Sequence, residues 1–276
     1  MKTVTKQQIA EKLAALIDSK LKNVEQNTCS LLSAALERET SEPAKWAIST
    51  IIENAEVAAK TGSYACQDCG LALVFVELGI EVKLDAPIEE SVNLGVTMGY
   101  KNARKSVCGA LSRANTQTNA PAIVHISTVP GDKLTISYLA KGAGSENMSK
   151  VYMLTPSKGK QGIIDCVTDC VKSAGANPCP PLVIGVGVGG TMDKAAVISK
   201  SALLRPTGES SADPDCAELE RQILTSVNAL KIGAQGLGGE TTALAVHVES
   251  YPTHIGMLPV AVTIQCHSVR HGRIEL

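Results

Sequence analysis

The sequence predicts an α/β fold in which a mixed sheet is flanked by helices and preceded by a helical lead-in. Apolar residues recur at helical spacing through residues 1–62, which predicts that this part is mainly helical. Beyond it, continuous apolar runs of strand length alternate with amphipathic segments, as expected for strands covered on both faces. No linker or repeat interrupts the chain, so we expect residues 1–276 to form a single domain.

The helical lead-in contains three segments. Residues 6–22 carry their apolar side chains on one face, and residues 29–36 form a second helix. Ser41 is a typical helix cap and Pro43 suits a first turn, so a third helix begins there and ends near Gly62.

Strands and helices alternate in the rest of the chain. The predicted strands are residues 71–78, 122–128, 133–140, 151–154, 182–188, 243–248 and 259–264. The predicted helices are residues 88–107, 160–173, 192–204 and 213–230. Val129-Pro130-Gly131-Asp132 is a turn-forming tetrapeptide between the second and third strands, which predicts a hairpin.

The composition narrows the possible functions. The formal net charge is -1 and aromatic residues make up 3% of the chain, so neither a global positive field nor base-stacking side chains favour nucleic acid binding. No apolar run reaches the roughly 20 residues of a membrane span, and the N-terminus has no signal-peptide core. We therefore expect a cytoplasmic protein whose nine cysteines are free thiols.

Cys66 and Cys69 form a Cys-x-x-Cys pair directly before the first predicted strand. Such a pair is compatible with zinc, redox exchange, an iron-sulfur cluster or no function. Cys166 and Cys170 could complete a zinc site, but they lie on one face of a predicted helix, where cysteine packs as a small hydrophobe. Thioredoxin-like redox chemistry is disfavoured because its pair opens a helix.

A glycine-rich segment, residues 185–190, follows a strand and precedes a helix. Its spacing is not that of dinucleotide-binding folds, and neither Asp213 nor Asp215 ends a second strand as the ribose contact should. Two interpretations remain, namely close approach of an anionic ligand to the backbone or tight packing alone.

Cys66, Cys179 and Cys266 share a context, because each stands at a strand edge beside a polar or glycine-rich loop. Prolines on both sides of Cys179 predict an extended backbone there. Three thiolates from distant parts of the chain can converge at one edge of a sheet, although spacing alone does not demonstrate it.

The five histidines offer few candidates for chemistry. His254 lies in a loop that enters the last strand, and loops carry function more often than cores do. His267 and His271 flank Arg270 near the C-terminus, which we interpret as a solvated basic tail.

Several short segments, which follow one another along almost the whole chain, resemble those of a known protein family. The resemblance is specific only when the segments are taken together. They are Cys66-Gln67-Asp68, Arg104-Lys105-Ser106, residues 129–133, Gly144-Ser145-Glu146-Asn147, Cys179-Pro180-Pro181, residues 185–191, residues 233–239, Tyr251-Pro252-Thr253-His254, Cys266 and Arg270-His271. Together they resemble the alpha subunit of two-subunit class I fumarases, in the iron-sulfur hydro-lyase family that includes L-tartrate dehydratase.

The resemblance implies a 4Fe-4S cluster with three cysteine ligands. An iron without a thiolate keeps an open position and acts as a Lewis acid on a substrate oxygen. The implied ligands are Cys66, Cys179 and Cys266, and the implied substrate-binding positions are Gln67, Asp68, Arg104, Gly144 and His254. The guanidinium of Arg104 suits a carboxylate, and His254 is expected to contact substrate from the cluster's side.

The implied reaction is the reversible hydration of fumarate to L-malate, a step of the tricarboxylic acid cycle, with tartrate or mesaconate as alternative substrates. By resemblance, the clamp for the second carboxylate and the catalytic base belong to a further domain. We expect that domain to be a separate beta subunit, and the resemblance implies an α2β2 assembly in which this chain is inactive alone.

Two departures from the family pattern bear on the site. Cys69 stands where the family usually has Thr, and Ala143 interrupts what is usually a run of three glycines. A fourth thiolate would close the open iron position, so we expect Cys69 to lie beside the cluster without binding it. The alternative from another class is a non-catalytic iron-sulfur scaffold or redox sensor, which favours four protein ligands.

Overall fold

The computed structural model describes residues 2–276 and confirms the predicted α/β class with its helical lead-in. The helices are α1 (Lys6–Lys22), α2 (Gln26–Arg38), α3 (Glu42–Thr61), α4 (Ile88–Gly99), α5 (Ala143–Glu146), α6 (Gly159–Ala174), α7 (Met192–Ala202) and α8 (Pro214–Asn228). The strands are β1 (Lys2–Val4), β2 (Leu71–Gly79), β3 (Val82–Leu84), β4 (Ile123–Val129), β5 (Leu134–Lys141), β6 (Lys150–Leu154), β7 (Leu182–Gly189), β8 (Ala243–Tyr251), β9 (Leu258–Gln265) and β10 (His271–Glu275). They form sheets in the orders β1-β3, β10-β5-β2-β4 and β6-β9-β7-β8.

The chain divides into two compact units. Unit 1 consists of the residues up to Val24, Val57–Ala143 and Arg270–Leu276, and unit 2 consists of Glu25–Glu56 and Gly144–Val269. Unit 1 contains the β10-β5-β2-β4 sheet, and unit 2 contains the β6-β9-β7-β8 sheet. The expectation of a single domain stays a prediction.

Unit 1 buries one face of its four-stranded sheet under α1 and α4. The start of α1 is a capping box, because the Thr5 hydroxyl accepts a hydrogen bond from the Gln8 backbone and the Gln8 side chain accepts one from the Thr5 backbone. Gly99 lets α4 approach α1 closely, since a Cβ added there would lie 2.8 Å from Ile17 Cβ. These contacts fix the helices on which the sheet rests.

The hairpin predicted for residues 122–128 and 133–140 is wrong, although both strands exist as β4 and β5. Strand β2 lies between them, parallel to β4 and antiparallel to β5. The predicted turn lies at the end of β2, where the Gly79 N–H donates to the Lys133 carbonyl at 2.9 Å. The apolar run of β2 explains this arrangement, because a strand with neighbours on both edges is the one that is best buried.

The helix predicted for residues 88–107 ends at Gly99. The Lys105 ammonium donates to the carbonyls of Tyr100 and Lys101, which directly follow the last residue of α4. The Arg104 carbonyl accepts a hydrogen bond from the Asn119 side chain at 2.8 Å. Residues 100–107 are therefore a loop that a distant side chain holds.

The C-terminal residues are not the solvated basic tail that the sequence suggested. Arg270 is 1% exposed and His271 is 8% exposed. Residues 271–275 form β10, which pairs antiparallel with β5 in the sheet of unit 1. The strand is too short for an alternating pattern to identify it from periodicity alone.

Unit 2 packs α6 and α8 on one face of its sheet and α7 on the other. Glycines in β7 make the second contact possible. A Cβ added at Gly185 would lie 2.0 Å from the Ser199 carbonyl oxygen, and one added at Gly187 would lie 2.1 Å from that of Ala195. Tight packing of α7 therefore explains these two glycines without a dinucleotide. Between residues 2 and 276, none of the helices has the length and apolarity needed to cross a membrane.

Replacing Gly187 by Ala should destabilise the protein by about 3 kcal/mol, because α7 must move away from β7. Gly62→Ala is the matched control, since Gly62 has a positive φ of 70° but nothing within 4 Å of an added Cβ. The control should lose only about 1 kcal/mol from backbone strain. Denaturant unfolding measures both free energies, and equal losses would contradict this account of the β7 glycines.

Candidate active site

The segment Cys66-Gln67-Asp68-Cys69-Gly70 links α3 to β2, as the sequence predicted. Gln67 is exposed, Cys66 and Asp68 are half-buried, and Cys69 and Gly70 are buried. The Cys66 sulfur lies 3.7 Å from the Gln67 side-chain oxygen. The thiol and the amide are therefore accessible together at the entrance to a central strand of unit 1.

The carboxylate of Asp68 holds two parts of unit 1 together. One oxygen accepts a hydrogen bond from the Gly70 N–H at 3.0 Å, and the other accepts one from the Ala143 N–H at 2.8 Å. Asp68 thus ties the Cys66 segment to Ala143, the residue at which α5 begins after β5. Ala143 makes this contact through its backbone and its side chain is exposed, so the departure from glycine leaves the contact intact.

Gly70 has a positive φ of 76°, and a Cβ added there would lie 2.9 Å from the Lys141 backbone nitrogen. Both observations require glycine, because a side chain would be strained by the conformation and would collide with β5. The Cys66 segment therefore approaches the end of β5 as closely as two backbones allow.

Cys69 differs from Cys66 in its surroundings. It is 2% exposed, and burial raises the pKa of its thiol, although a backbone hydrogen bond from Arg104 and the charge of Arg270 act in the opposite direction. The Cys69 carbonyl accepts a hydrogen bond from the Tyr100 hydroxyl at 3.1 Å. Cys69 is thus a neutral thiol packed into the core of unit 1.

Arg104 has an exposed side chain on a firmly held backbone. Its carbonyl accepts from the Asn119 amide at 2.8 Å, and the Lys105 carbonyl accepts from the Asn115 amide at 3.0 Å. Neither asparagine was identified from the sequence. The available signal was weak, namely asparagines in a turn-rich loop ahead of a strand.

Cys179 is exposed and precedes β7 in unit 2. Its φ is +56°, so the extended backbone predicted from the neighbouring prolines is wrong. This conformation is unfavourable for a residue other than glycine and persists only where the surroundings hold it. The Cys179 N–H donates to the Ala176 carbonyl at 3.0 Å, which closes a tight turn around the thiol.

Gln235 holds the far side of that turn. Its backbone N–H and its side-chain amide donate to the Pro180 carbonyl at 2.8 and 2.9 Å. Gly236 packs against the same turn, since a Cβ added there would lie 2.5 Å from Ala176 Cβ. The glycine-rich segment of residues 233–239 is therefore the support of the Cys179 turn.

Cys266 directly follows β9, at the same end of the sheet as Cys179. The register of the two antiparallel strands establishes this, because Val183 near the start of β7 lies opposite Gln265 at the end of β9. Cys266 is half-buried, and the Gln265 amide lies 3.9 Å from its sulfur. Two accessible thiols thus share one end of the sheet in unit 2.

Gly144 lies close to the turn that carries Cys179. A Cβ added at this exposed glycine would lie 3.5 Å from the Asn177 carbonyl oxygen, in the turn before Cys179. The Ser149 hydroxyl accepts from the Ile264 N–H at 3.1 Å, so the segment after Gly144 also adjoins the end of β9. The glycine backbone is accessible beside the cysteine turn.

His254 lies at the opposite end of this sheet, in the exposed loop from Tyr251, where β8 ends, to Leu258, where β9 begins. Its ring nitrogen accepts from the Gly256 N–H at 3.1 Å. Strand β9 separates it from Cys266 over eight residues, about 26 Å at the usual rise of a strand. Within this unit, His254 is not beside the two cysteines.

The cysteines of the zinc alternative lie in the core of unit 2. Burial raises the pKa of Cys166 to about 12 and that of Cys170 to about 11, so both remain neutral. Within residues 2–276, no three His, Cys, Asp or Glu side chains form a group that could hold a metal ion. The predicted ligands belong to two units, with Cys66 in unit 1, and their role as a set stays a prediction.

Gln235→Ala should loosen the Cys179 turn, because it removes one of the two donors to the Pro180 carbonyl. The expected loss is about 1 kcal/mol in the free energy of unfolding, together with faster hydrogen exchange of the Cys179 amide. Gln222→Ala is the control, since its side chain donates to Glu218 on the exposed face of α8. Identical exchange at Cys179 in both variants would show that Gln235 is not its support.

A family model and several known proteins match this chain over most of its length. A family model described as fumarate hydratase (Fumerase) matches residues 10–275. A Methanocaldococcus jannaschii protein, described as "Putative L(+)-tartrate dehydratase subunit alpha", is 39% identical over 256 residues, which cover 89% of this chain and 90% of that protein. The L(+)-tartrate dehydratase subunit alpha of Escherichia coli K12 is 31% identical over 242 residues, which cover 86% of this chain and 80% of that protein.

Proposed function

The chain belongs to the fumarate hydratase family, and on that premise we propose that it is the alpha subunit of a two-subunit enzyme that interconverts fumarate and L-malate. The family and the named relatives make it a hydro-lyase. The observation that supports the site most strongly is the constrained Cys179 turn, which holds an exposed thiol at the same sheet end as Cys266.

The cysteine residues fit an iron-sulfur cofactor. None of the nine cysteines is paired in a disulfide, and Cys66, Cys179 and Cys266 are among those that solvent reaches. Soft thiolates are the usual ligands of iron-sulfur clusters. We assign these three as ligands of a 4Fe-4S cluster, which when bound would supply a Lewis acid for the substrate hydroxyl. Buried, neutral Cys69 is assigned a supporting role beside them.

The remaining residues of this chain bind and orient the substrate. The exposed guanidinium of Arg104 suits one carboxylate, because its planar fork donates to both oxygens. Exposed Gln67 offers an amide beside Cys66, and Gly144 offers a backbone that a ligand can approach. Both oxygens of Asp68 accept backbone hydrogen bonds, so its main contribution is to hold Gln67 and Cys66 in place.

The relatives are named alpha subunits, which implies a beta subunit as partner. We assign the catalytic base and the clamp for the second carboxylate to that subunit, in an α2β2 assembly. The position of His254 is consistent with such an assembly. Since His254 lies at the other end of the sheet from Cys179 and Cys266, it would serve a site formed by another copy of the chain.

L(+)-tartrate is the second candidate substrate, because the relatives cited above are named for it. Tartrate and L-malate share the two carboxylates and the hydroxyl that the proposed residues would bind, and they differ by one hydroxyl group. The beta subunit would contribute to that discrimination. Mesaconate, with an added methyl group, is a third possibility of the same class. Cysteines without disulfide bonds fit the reducing cytoplasm, where we place the enzyme.

Purified anaerobically without a partner, the chain should bind iron and sulfide but hydrate no fumarate. Addition of the beta subunit should restore activity, and the ratio of kcat/KM for L-malate and L(+)-tartrate then identifies the substrate. Full fumarate hydration by this chain alone would contradict the assignment of the base to a partner. A higher kcat/KM for L(+)-tartrate would replace fumarate by the second candidate.

Substitution of the two cysteines in the Cys-x-x-Cys pair separates their roles. Cys69→Thr should keep the iron and sulfide content and the activity of the complex, because Cys69 is buried and neutral. Cys66→Ser should lose most of the bound iron, since it removes a thiolate ligand. Iron loss in Cys69→Thr would instead favour a cluster with four thiolates and the scaffold or sensor alternative.

A further inference from the structure

The loop of residues 100–122, between α4 and β4, carries Arg104 but contains no helix and only one isolated bridge, between Cys108 and Asn115. Without ladder hydrogen bonds, its backbone groups need other partners. Asn119 meets that need from inside the loop. It is 1% exposed and has a φ of +60°, a conformation that asparagine tolerates better than most residues.

The Asn119 side chain makes three hydrogen bonds to one short segment. Its oxygen accepts from the Ser106 N–H at 2.7 Å and from the Val107 N–H at 3.3 Å. Its nitrogen donates to the Arg104 carbonyl at 2.8 Å. The amide therefore uses acceptor and donor together, which fixes the segment in position and in direction.

The hydrogen bonds described for Arg104 come through its backbone. The carbonyl is held by Asn119, a backbone hydrogen bond reaches the Cys69 sulfur, and the guanidinium side chain is exposed. A long side chain binds a carboxylate more strongly when the backbone that carries it is already in place. Otherwise binding must also order the loop. Asn119 supplies that preorganisation from 15 residues away.

We infer that Asn119 is a positioning residue for Arg104, which it prepares to bind a carboxylate of the substrate. The inference rests on the proposed function, because it takes Arg104 as the carboxylate-binding group. Asn119 itself does not contact substrate. Its loss should weaken substrate binding in the ground state and in the transition state alike, which raises KM more than it lowers kcat.

Asn93 provides a matched control within the same unit. Its side-chain oxygen accepts from the Ala122 N–H at 2.9 Å, so it anchors the end of the same loop to α4. It makes no hydrogen bond to residues 104–107. A general loss of loop order would affect Asn93→Ala and Asn119→Gly equally, whereas a role through Arg104 affects only the second.

The test uses the complex of this chain with its beta subunit and L-malate as substrate. Asn119→Gly tolerates the positive φ and removes all three bonds, and it should raise KM about tenfold with kcat within about twofold. Asn119→Asp keeps the two acceptor bonds but sets a carboxylate oxygen against the Arg104 carbonyl in place of the donor, so it should also raise KM and covers a failure of the glycine variant to fold. Asn93→Ala should leave KM within about twofold of the parent.

A double-mutant cycle decides whether Asn119 acts through Arg104. Arg104→Ala should raise KM strongly, and Asn119→Gly added to it should raise KM no further. Additive effects would overturn the inference and leave the role of Arg104 standing. An unchanged KM in Arg104→Ala would instead remove the proposed role of Arg104 and the inference with it.

Hydrogen exchange of the same variants gives a readout that does not depend on activity. The Ser106 and Val107 amides should exchange at least about tenfold faster in Asn119→Gly than in Asn93→Ala. Equal exchange in the two variants would show that the segment does not depend on Asn119, whatever reaction the complex catalyses.

Discussion

The candidate site depends on polar side chains that bind the backbone of loops. Most of its residues lie on loops, whose N–H and carbonyl groups have no ladder partners and must be satisfied in another way. Asp68 binds the Gly70 and Ala143 amides, Asn119 binds the Arg104 segment, and Gln235 binds the Pro180 carbonyl. Each contact holds the loop that carries a proposed ligand or substrate-binding residue, so the geometry of the site rests on three side chains that need not touch substrate.

The same contacts explain how Cys66 and Cys69, three residues apart, differ so strongly. Asp68 and Gly70 fasten the segment to the end of β5, and the chain then enters the core of unit 1. Cys69 is buried and keeps its proton, whereas Cys66 remains accessible to solvent. The Arg104 backbone donates a hydrogen bond to the Cys69 sulfur, which is consistent with a supporting role for Cys69.

The sequence predicted most elements of the fold because long apolar runs and amphipathic periods are local signals. Every predicted strand exists, and the segment from Cys66 to Gly70 lies directly before β2 as expected. The errors arise where distant contacts decide. The hairpin is absent because β2 takes the place between β4 and β5. The residues after α4 form a loop that Asn119 holds from 15 positions beyond Arg104. The buried tail pairs with a strand that lies 132 to 140 positions earlier in the chain.

The candidate site was predictable in its residue types but not in its layout. Prolines suggested an extended backbone at Cys179. Its turn is instead set by the backbone carbonyl of Ala176 and by Gln235, which lies far away in the sequence. Sequence separation also misled for His254, because the twelve positions to Cys266 contain a whole strand that carries the chain across the sheet. A position count gives proximity only when the backbone between two residues turns back.

The central claim is that three thiolates hold a cluster whose remaining iron is open to substrate. The most direct measurement is the EPR spectrum of the reduced cluster in the complex, recorded with and without L-malate. We predict that L-malate shifts the spectrum and that Cys69→Thr retains the shift. A spectrum that neither L-malate nor L(+)-tartrate alters would contradict an open iron and would favour a cluster closed by four protein ligands.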